Sequence, residues 1–260
     1  GLDCDGAKDS FSLNVGRAGR IVNCTLRNMS VGIANAYACT FENCSNEGLR
    51  TAFPGGRWFE VTVRDSNFTR MYNTNFWERC HFSNTKLGRF FGGLFDAKGC
   101  DFSGCSLFGF DSATVRMSGC LFEKTIVQGN YWEKPSEIIF RDCRIETHGD
   151  APFLKLGVYT VGKIGFDGCA VAGAGSLVDV HDLRPISRPA NADPSTNPDN
   201  LPGLIALRRT KWNGDARTVV AHGKLIGSVS AKKVTILDKE NAWPEGVSVA
   251  TDLPGSWEMK

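Results

Sequence analysis

The sequence predicts an all-β protein, a right-handed parallel β-helix with coils of roughly twenty residues and an irregular C-terminal cap. A motif recurs in which a small residue, a polar residue and a large apolar residue follow one another, as in Cys100-Asp101-Phe102. Steps of twenty residues join Cys80, Cys100 and Cys120, and other steps are shorter or longer. A fixed period with loop-like insertions is typical of a solenoid.

The small position of this motif is usually cysteine. We assign to one column along the solenoid Cys4, Cys24, Cys39, Ser66, Cys80, Cys100, Cys120, Cys143 and Cys169. Asp, Asn or Gly precedes most of them, with Ala38 and Arg79 as the exceptions, and these types tolerate the left-handed backbone of a sharp bend. Because Cys4 already belongs to the column, we expect further coils ahead of Gly1.

The ten cysteines are interpreted as small core residues with free thiols. Equivalent residues of successive coils stack at a spacing of about 4.8 Å and point in parallel, which is poor geometry for a disulfide. No pair has the spacing of a metal-binding CxxC motif. Free thiols favour synthesis in a reducing cytoplasm.

One stretch has a tighter period of five residues. Its inward positions are predicted to be Cys80, Thr85, Phe90, Phe95, Cys100, Cys105, Phe110, Val115, Cys120 and Thr125, and two places later Phe82, Leu87, Ala97, Phe102, Leu107, Met117, Phe122 and Val127. Gly92 and Ser112 interrupt the second set. Residues 80–127 thus resemble the pentapeptide-repeat family, whose coils are four-sided squares of twenty residues.

The chain as a whole resembles the irregular right-handed β-helices of the pectate-lyase-like superfamily. The segments VNCTLRN, ACTFENC and RDCRIET are the kind of rung that these proteins show. Within this superfamily, its repeat pattern is most similar to that of bacteriophage tailspikes and polysaccharide depolymerases. This resemblance carries no catalytic motif, but it implies a polysaccharide ligand, a homotrimer, and a location in the virion tail or outside the cell.

The repeat divides the chain into three parts. Residues 1–182 are predicted to form the β-helix coils. Residues 183–203 hold a cluster of prolines and are predicted to form an irregular excursion. Apolar runs resume in residues 204–260, and they are either the final coils or a β cap over the open end of the solenoid.

Composition argues against several classes of partner. A net charge of +2 without a basic stripe does not suit nucleic acid. No apolar run is long enough to insert into a membrane. The four histidines, His81, His148, His181 and His222, lack the spacing of metal ligands, and we expect neither a metal nor a cofactor. Residues 157–164 are spaced like a phosphate loop, but Ile164 stands where Ser or Thr would bind magnesium.

The five-residue phase also predicts a site on the outside of the solenoid. It places Phe91, Asp111 and Tyr131 at the same solvent-facing position of three successive coils. Glu133 follows two residues after Tyr131. Asp111 and Glu133 would then have Cα atoms roughly 8 Å apart, which suits the acid and base of an inverting glycoside hydrolase. The predicted substrate-binding residues are Arg89, Phe91, Phe108, Gln128, Tyr131 and Trp132. The loops predicted around Trp58 and Trp77 are the next candidates.

The sequence thus favours a protein that binds a surface polysaccharide. It leaves open whether the protein also cleaves the polysaccharide, as a hydrolase or as a lyase. The alternative is a structural or protein-interaction β-solenoid without catalysis, either a virion fibre segment or a scaffold like the pentapeptide-repeat effectors. The exposed aromatic residues leave room for a trimer interface.

Overall fold

In the computed structural model the described part of the chain consists of β-strands and short turns. The structure describes residues 3–5, 12–23, 25–27, 30–45, 53–54, 56–68, 71–72, 75–129, 137–157, 163–181, 203–215, 218–222, 234–250 and 257–259. None of these residues lies in a helix. Within them there is accordingly no helix able to cross a membrane.

The strands are short, apart from three of eleven or thirteen residues. They are β1 Asp3–Asp5, β2 Ser12–Val22, β3 Thr25–Arg27, β4 Ser30–Tyr37, β5 Thr40–Glu42, β6 Phe53–Pro54, β7 Arg57–Phe59, β8 Thr62–Arg64, β9 Asn67–Phe68, β10 Met71–Tyr72, β11 Asn75–Glu78, β12 His81–Ser83, β13 Lys86–Lys98, β14 Asp101–Ser103, β15 Ser106–Ser118, β16 Leu121–Glu123, β17 Ile126–Gly129, β18 Glu137–Arg141, β19 Arg144–Glu146, β20 Leu154–Gly157, β21 Lys163–Asp167, β22 Ala170–Ala172, β23 Val178–His181, β24 Gly203–Arg208, β25 Lys211–Trp212, β26 Thr218–His222, β27 Val234–Lys239, β28 Ser248–Ala250 and β29 Trp257–Met259.

The described strands form two parallel sheets. One sheet has ten strands in the order β1-β3-β5-β8-β12-β14-β16-β19-β22-β25, and each coil contributes one of them. The other sheet has nineteen strands. Strands that pair are separated in sequence by about one coil, as in β12 with β14 and β13 with β15. The prediction of an all-β parallel solenoid is confirmed.

The coil of residues 81–98 shows that each turn of the solenoid has four sides. β12 provides the first side. β13 provides the other three, because it pairs with β9 through Lys86 and Leu87, with β10 through Phe90 and Phe91, and with β11 through residues 95–98. We name the sides face 1 (β12), face 2 (residues 86–88), face 3 (residues 90–91) and face 4 (residues 94–98), and we use the same names for the strands stacked on them.

The predicted inward residues form the core. Among the described side chains of residues 80–127, every predicted inward residue is buried: Cys80, Phe82, Thr85, Leu87, Phe90, Phe95, Ala97, Cys100, Phe102, Cys105, Leu107, Phe110, Val115, Met117, Cys120, Phe122, Thr125 and Val127. The rings of Phe82, Phe102 and Phe122 stack within 5° of parallel, with centroids 4.9 and 5.1 Å apart. This spacing is that of adjacent strands, so the ladder adds aromatic contact to hydrophobic burial.

The bends before face 1 adopt the predicted left-handed conformation. Gly99 and Gly119 have φ values of +55° and +59°, which glycine adopts without a steric penalty. Ala38 and Arg79, the two residues that do not favour this backbone, also have φ values of +49° and +51°. The stacking of the coils therefore overrides local preference at these two bends.

The structure corrects two assignments to the cysteine column. Cys4 pairs with Leu26 and not with a cysteine, so it belongs to the large apolar column. Ser66 accepts a hydrogen bond from the backbone N–H of Cys44 at 3.1 Å and lies in a second column at the start of face 2. Val61 takes the position between Cys39 and Cys80, because its neighbour Thr62 donates to Cys39 and its own carbonyl accepts from His81.

Hydrogen bonding explains why Cys, Ser and Thr share these columns. The thiol of Cys80 reaches the carbonyl oxygen of Glu78 at 3.4 Å, across the left-handed bend. The hydroxyls of Thr85 and Ser66 make the same contact with the carbonyl two residues before them, at 2.8 and 2.6 Å. The eight described cysteines, Cys39, Cys44, Cys80, Cys100, Cys105, Cys120, Cys143 and Cys169, are buried and form no disulfide. A small residue with a weak donor therefore suits this position.

Beyond the proline-rich stretch the strands continue the same ladders. Residues 183–202 lie outside the described residues. β24 begins at Gly203, pairs with β21 and is followed in the sheet by β27, which pairs with β29. In the inward column of face 4, Asp238 lies beside Leu207, and its carboxylate accepts from the indole N–H of Trp243 at 3.2 Å. A polar network thus occupies this position of the core column.

Candidate functional site

The residues predicted from the five-residue phase are only partly described. Phe91 and Asp111 are paired on adjacent strands of face 3, as predicted. Tyr131, Trp132 and Glu133 lie outside the described residues. The register also shifts before them, because Phe110 pairs with Gly129 and not with the residue twenty places further on. The catalytic roles of Asp111 and Glu133 stay predictions.

Phe108 and Gln128 are brought together on face 2, where they are Cα partners on adjacent strands. Phe108 is half-buried, and its ring covers Gly88 on the preceding coil. A Cβ atom at Gly88 would lie 2.5 Å from that ring, so a larger residue there would force the ring to move. Arg89 lies in the same strand as Gly88. The substrate-binding roles of Arg89, Phe108 and Gln128 stay predictions.

The segments around Trp58 and Trp77 are strands and not loops. The two indoles are buried on face 4 and stack with centroids 5.2 Å apart and planes 13° from parallel. Both indoles therefore belong to the core. Their neighbours in sequence point outward instead, and these neighbours line a groove on the outer side of face 4.

The first half of this groove is aromatic. It has a volume of about 310 Å³ and is lined by Tyr37, Arg57, Trp58, Phe59, Phe76, Trp77, Glu78, Asp96 and Lys98. Phe76 is 37% exposed and is the one large apolar side chain that is exposed among the described residues. The guanidinium carbons of Arg57 and Arg79 lie 5.7 Å from the Phe76 ring and 4.2 Å from the Phe59 ring, within the range of cation–π attraction.

The second half of the groove is charged. It has a volume of about 450 Å³ and is lined by Asp96, Lys98, Arg116, Met117, Ser118, Glu137, Ile139, Arg141 and Lys163. Asp96 and Lys98 line both halves, so the groove is continuous. It crosses seven strands, from β4 to β21, which corresponds to roughly 29 Å along the solenoid axis.

Two outward columns align the groove side chains. In one column Arg57, Phe76, Asp96 and Arg116 are successive Cα partners. The parallel column, two residues further along each strand, contains Phe59, Glu78, Lys98, Ser118 and Arg141. Strands about 4.8 Å apart hold these side chains in contact with one another.

Ion pairs order the charges in the groove. The carboxylate of Asp96 lies 3.6 Å from Nζ of Lys98, and only 16% of its side chain is exposed. Glu78 lies 3.5 Å from a guanidinium nitrogen of Arg79. Glu137 lies 2.9 Å from Nζ of Lys163. Each carboxylate of the groove thus has a cation beside it.

No site for a metal ion is formed by the residues that the structure describes. Groups of three or more His, Cys, Asp or Glu side chains close enough to share an ion do not occur among them. The pairing of His81 with Asp101, 2.9 Å apart on face 1, is an exposed contact between two side chains.

The five-residue period favoured faces 2 and 3, and the sequence indicated face 4 only through the segments around Trp58 and Trp77, without the neighbours that line the groove. A signal for face 4 was present in the segments RWFE and NFWE, in which an inward Trp is flanked by aromatic and charged residues. In the coil of residues 81–98 the same flanking positions are Asp96 and Lys98, on either side of the buried Ala97. The five-residue phase extended to these positions would have indicated the groove.

No protein-family model matches the chain, and no curated protein matches it. Several solved structures resemble it. The catalytic unit of the GH87 α-1,3-glucanase from Streptomyces thermodiastaticus is 10% identical with a TM-score of 0.35, over 93% of this chain and 60% of that one. The tailspike protein gp49 from Pseudomonas phage LKA1 is 10% identical with a TM-score of 0.32, over 92% of this chain and 52% of that one.

QnrB1, a plasmid-mediated fluoroquinolone resistance protein, is 10% identical with a TM-score of 0.28, over 93% of this chain and 89% of that one. The chain therefore spans 60% and 52% of the length of the glucanase and the tailspike. At such identities and TM-scores the likeness concerns the fold alone. The protein is a parallel β-solenoid, and the structures that it resembles are β-helices as well.

Proposed function

We propose that the groove on face 4 binds a polysaccharide chain. The observation that carries this proposal is the continuous row of outward aromatic and charged side chains across seven strands. Small-molecule sites are usually enclosed pockets that bury most of their ligand. A groove that is open along roughly 29 Å instead suits an extended polymer.

The chemistry of the lining supports a sugar polymer. Phe59 and Phe76 offer ring faces and edges on which the apolar face of a sugar can stack. Glu78 and Asp96 lie beside them and offer oxygen atoms that accept hydrogen bonds from sugar hydroxyls. A protein interface would favour an apolar centre depleted of charge, whereas the centre of this groove is the Asp96–Lys98 ion pair.

The groove geometry supports binding better than hydrolysis. Glu78 and Asp96 are one strand apart and two residues apart along the strand, so their Cα atoms are roughly 8 Å apart. A separation of about 6.5–9.5 Å between carboxyl groups is typical of inverting glycosidases. However, each of the two carboxylates lies beside a cation, and neither is set apart as the proton donor that hydrolysis requires.

The test is affinity electrophoresis of the full chain in gels that contain each member of a panel of bacterial polysaccharides. We expect at least one polysaccharide to retard the chain. Phe76→Ala removes an exposed ring and should weaken the retardation. Phe108→Ala on face 2 and Asp111→Ala on face 3 test the residues predicted from the sequence, and Arg144→Gln, at an exposed position on face 1, is the control that should leave the retardation unchanged. Retardation that Phe108→Ala abolishes and Phe76→Ala leaves unchanged would contradict the proposal.

The same samples distinguish binding from cleavage. New reducing ends would identify a hydrolase, and unsaturated uronate products would identify a lyase. If no polysaccharide retards the chain and a protein partner is retained in a pull-down, the protein is the structural or interaction solenoid instead. A homotrimer is our proposal for its assembly, and light scattering should then give three times the 28.3 kDa of one chain.

A further inference from the structure

The two halves of the face 4 groove differ in the groups that they offer a ligand. In the first half Arg57 lies against the Phe76 ring. Arg79, next to the groove, lies over the Phe59 ring and forms an ion pair with Glu60 at 3.1 Å. In the second half no aromatic side chain lines the groove. Four cations and two carboxylates line it instead, so this half carries a local positive charge.

Two of those four cations are already paired. Lys98 lies 3.6 Å from Asp96, and Lys163 lies 2.9 Å from Glu137. Arg116 and Arg141 form no ion pair with any residue in the described part of the chain, and both are exposed. Their guanidinium groups are therefore available to an anion that enters the groove.

Arg116 and Arg141 are placed to act on one bound chain. Arg141 is the Cα partner of Ser118, and Arg116 lies two residues before Ser118 in the same strand. The Cα atoms of the two arginines are consequently about 8 Å apart. Both lie on the outer side of the strands, since the residue between Arg116 and Ser118 is the buried Met117. A guanidinium group matches a planar carboxylate with two parallel hydrogen bonds.

We infer that the polysaccharide is acidic and that Arg116 and Arg141 bind its carboxylates, while Phe59 and Phe76 stack on its uncharged faces. This inference rests on the proposed function of the groove. The carboxylates of Asp96 and Glu137, in the same half, would repel a ligand that carries a phosphate on every unit. A polymer with a carboxylate on only some of its sugars can place that charge beside Arg116 and Arg141 and keep uncharged units beside Asp96 and Glu137.

The experiment compares acidic polysaccharides with their methyl esters, which keep the sugar chain and remove the charge. The probes are polygalacturonate, alginate and hyaluronate, each beside its methyl ester, with dextran as a neutral polymer. The full chain is titrated with each probe at low and at high salt. We expect at least one acidic form to bind about tenfold more tightly than its ester, and we expect salt to reduce that difference.

Substitutions test whether the two arginines cause the difference in affinity between the acidic form and its ester. Arg116→Gln and Arg141→Gln should each bring the affinity for the acidic form close to that for its ester. Arg144→Gln, an exposed arginine on face 1, is the matched control and should leave the difference unchanged. Phe76→Ala should lower the affinity for the acidic form and for the ester by similar factors.

The outcomes separate this inference from the proposed function. If an acid and its ester bind with equal affinity and Phe76→Ala weakens the binding of both, the inference of an acidic ligand is wrong. The proposal that the groove binds a polysaccharide then stands. A preference for the acid that survives Arg116→Gln and Arg141→Gln would overturn the role of the two arginines. If none of the acids binds while dextran or another neutral polysaccharide does, the inference fails and the proposed function stands. Binding that Phe76→Ala leaves untouched would overturn both.

Discussion

The backbone N–H of Cys105 donates a hydrogen bond to the hydroxyl oxygen of Thr125 on the next coil, at 3.3 Å. The same hydroxyl lies 2.9 Å from the carbonyl oxygen of Phe102, so Thr125 joins two coils inside the core. Thr125→Val keeps the shape but leaves the Cys105 N–H without an acceptor, and we expect a loss of about 1–3 kcal/mol. Thr125→Ser should lose less. Urea unfolding measures both, and a valine variant as stable as the parent would contradict this hydrogen bond.

Cys100 tests the register of the core. Its side chain is fully buried between the coils of Cys80 and Cys120. Cys100→Asp would place an unpaired carboxylate among apolar neighbours and should cost several kcal/mol, on the order of 3–5. Cys100→Ser should be much milder, because serine stays small and its hydroxyl can donate to the carbonyl of Lys98, as the Cys100 thiol does at 3.5 Å. Thermal melts compare the variants, and equal melting temperatures for Asp and Ser would show that position 100 does not face inward.

The buried thiols make stability depend on alkaline pH. Burial raises the pKa of Cys105 to about 11. The thiol of Cys100 raises the pKa of Cys120 to about 12, and the thiol of Cys120 does the same for Cys143. Unfolded thiols ionise near pH 8.5. The stabilisation that Cys105, Cys120 and Cys143 contribute is therefore complete below that pH and is lost as pH rises toward 11 to 12.

Urea midpoints at pH 7.5, 9 and 10.5 check this dependence. Other groups also titrate near pH 10, so the control is Cys105→Ser, whose stability should fall less steeply than that of the parent. The two slopes would be the same if Cys105 ionised equally well in the folded and unfolded states.

Lys124 offers a stabilising substitution. It has a φ of +49°, at a bend where the two preceding coils place Gly104 and Asn84. A lysine in left-handed backbone costs roughly 1–2 kcal/mol, and asparagine tolerates this backbone better. We expect Lys124→Asn to raise the free energy of unfolding by about 0.5–1 kcal/mol.

Gly119→Ala is the opposite case. A Cβ atom at Gly119 would have space, with the nearest atom at 4.0 Å, but the φ of this residue is +59°. It should be destabilising, and a stabilising Gly119→Ala would refute the argument from strain.

Trp77 carries a buried indole N–H with no hydrogen-bond partner among the described residues. Its ring packs 5.2 Å from Trp58 and 4.7 Å from Phe82. Trp77→Phe removes some contact area, but it also removes the unsatisfied donor. We therefore expect the free energy of unfolding to fall by less than in an ordinary large-to-small substitution. Trp77→Ala should cost about 3–5 kcal/mol because it leaves a cavity. Denaturant unfolding ranks the two, and similar losses would mean that the N–H is satisfied in solution.

The inside of the solenoid was largely predictable from the sequence, and the reason is local. Residues two apart in a strand face the same way, so Cys100 and Phe102 predict an inward face without any knowledge of the next coil. Val61 was not predictable in the same way, because it is neither a cysteine nor preceded by Asn, Asp or Gly. The sequence therefore placed Ser66 in its column, and only the pairing of Thr62 with His81 corrects this.

The outside depends on which coils lie beside one another, and coils of unequal length hide that alignment. The sequence by itself determined the parallel β-helix, the free thiols of the described core and the left-handed bends, since each follows from a repeated local motif. The tertiary structure decided that Phe76, Asp96 and Arg116 form one column and that Phe110 lies beside Gly129. Such neighbours are set by the register between strands some twenty residues apart. The stacking of buried side chains fixes that register, so the types of the exposed residues do not determine which of them become neighbours.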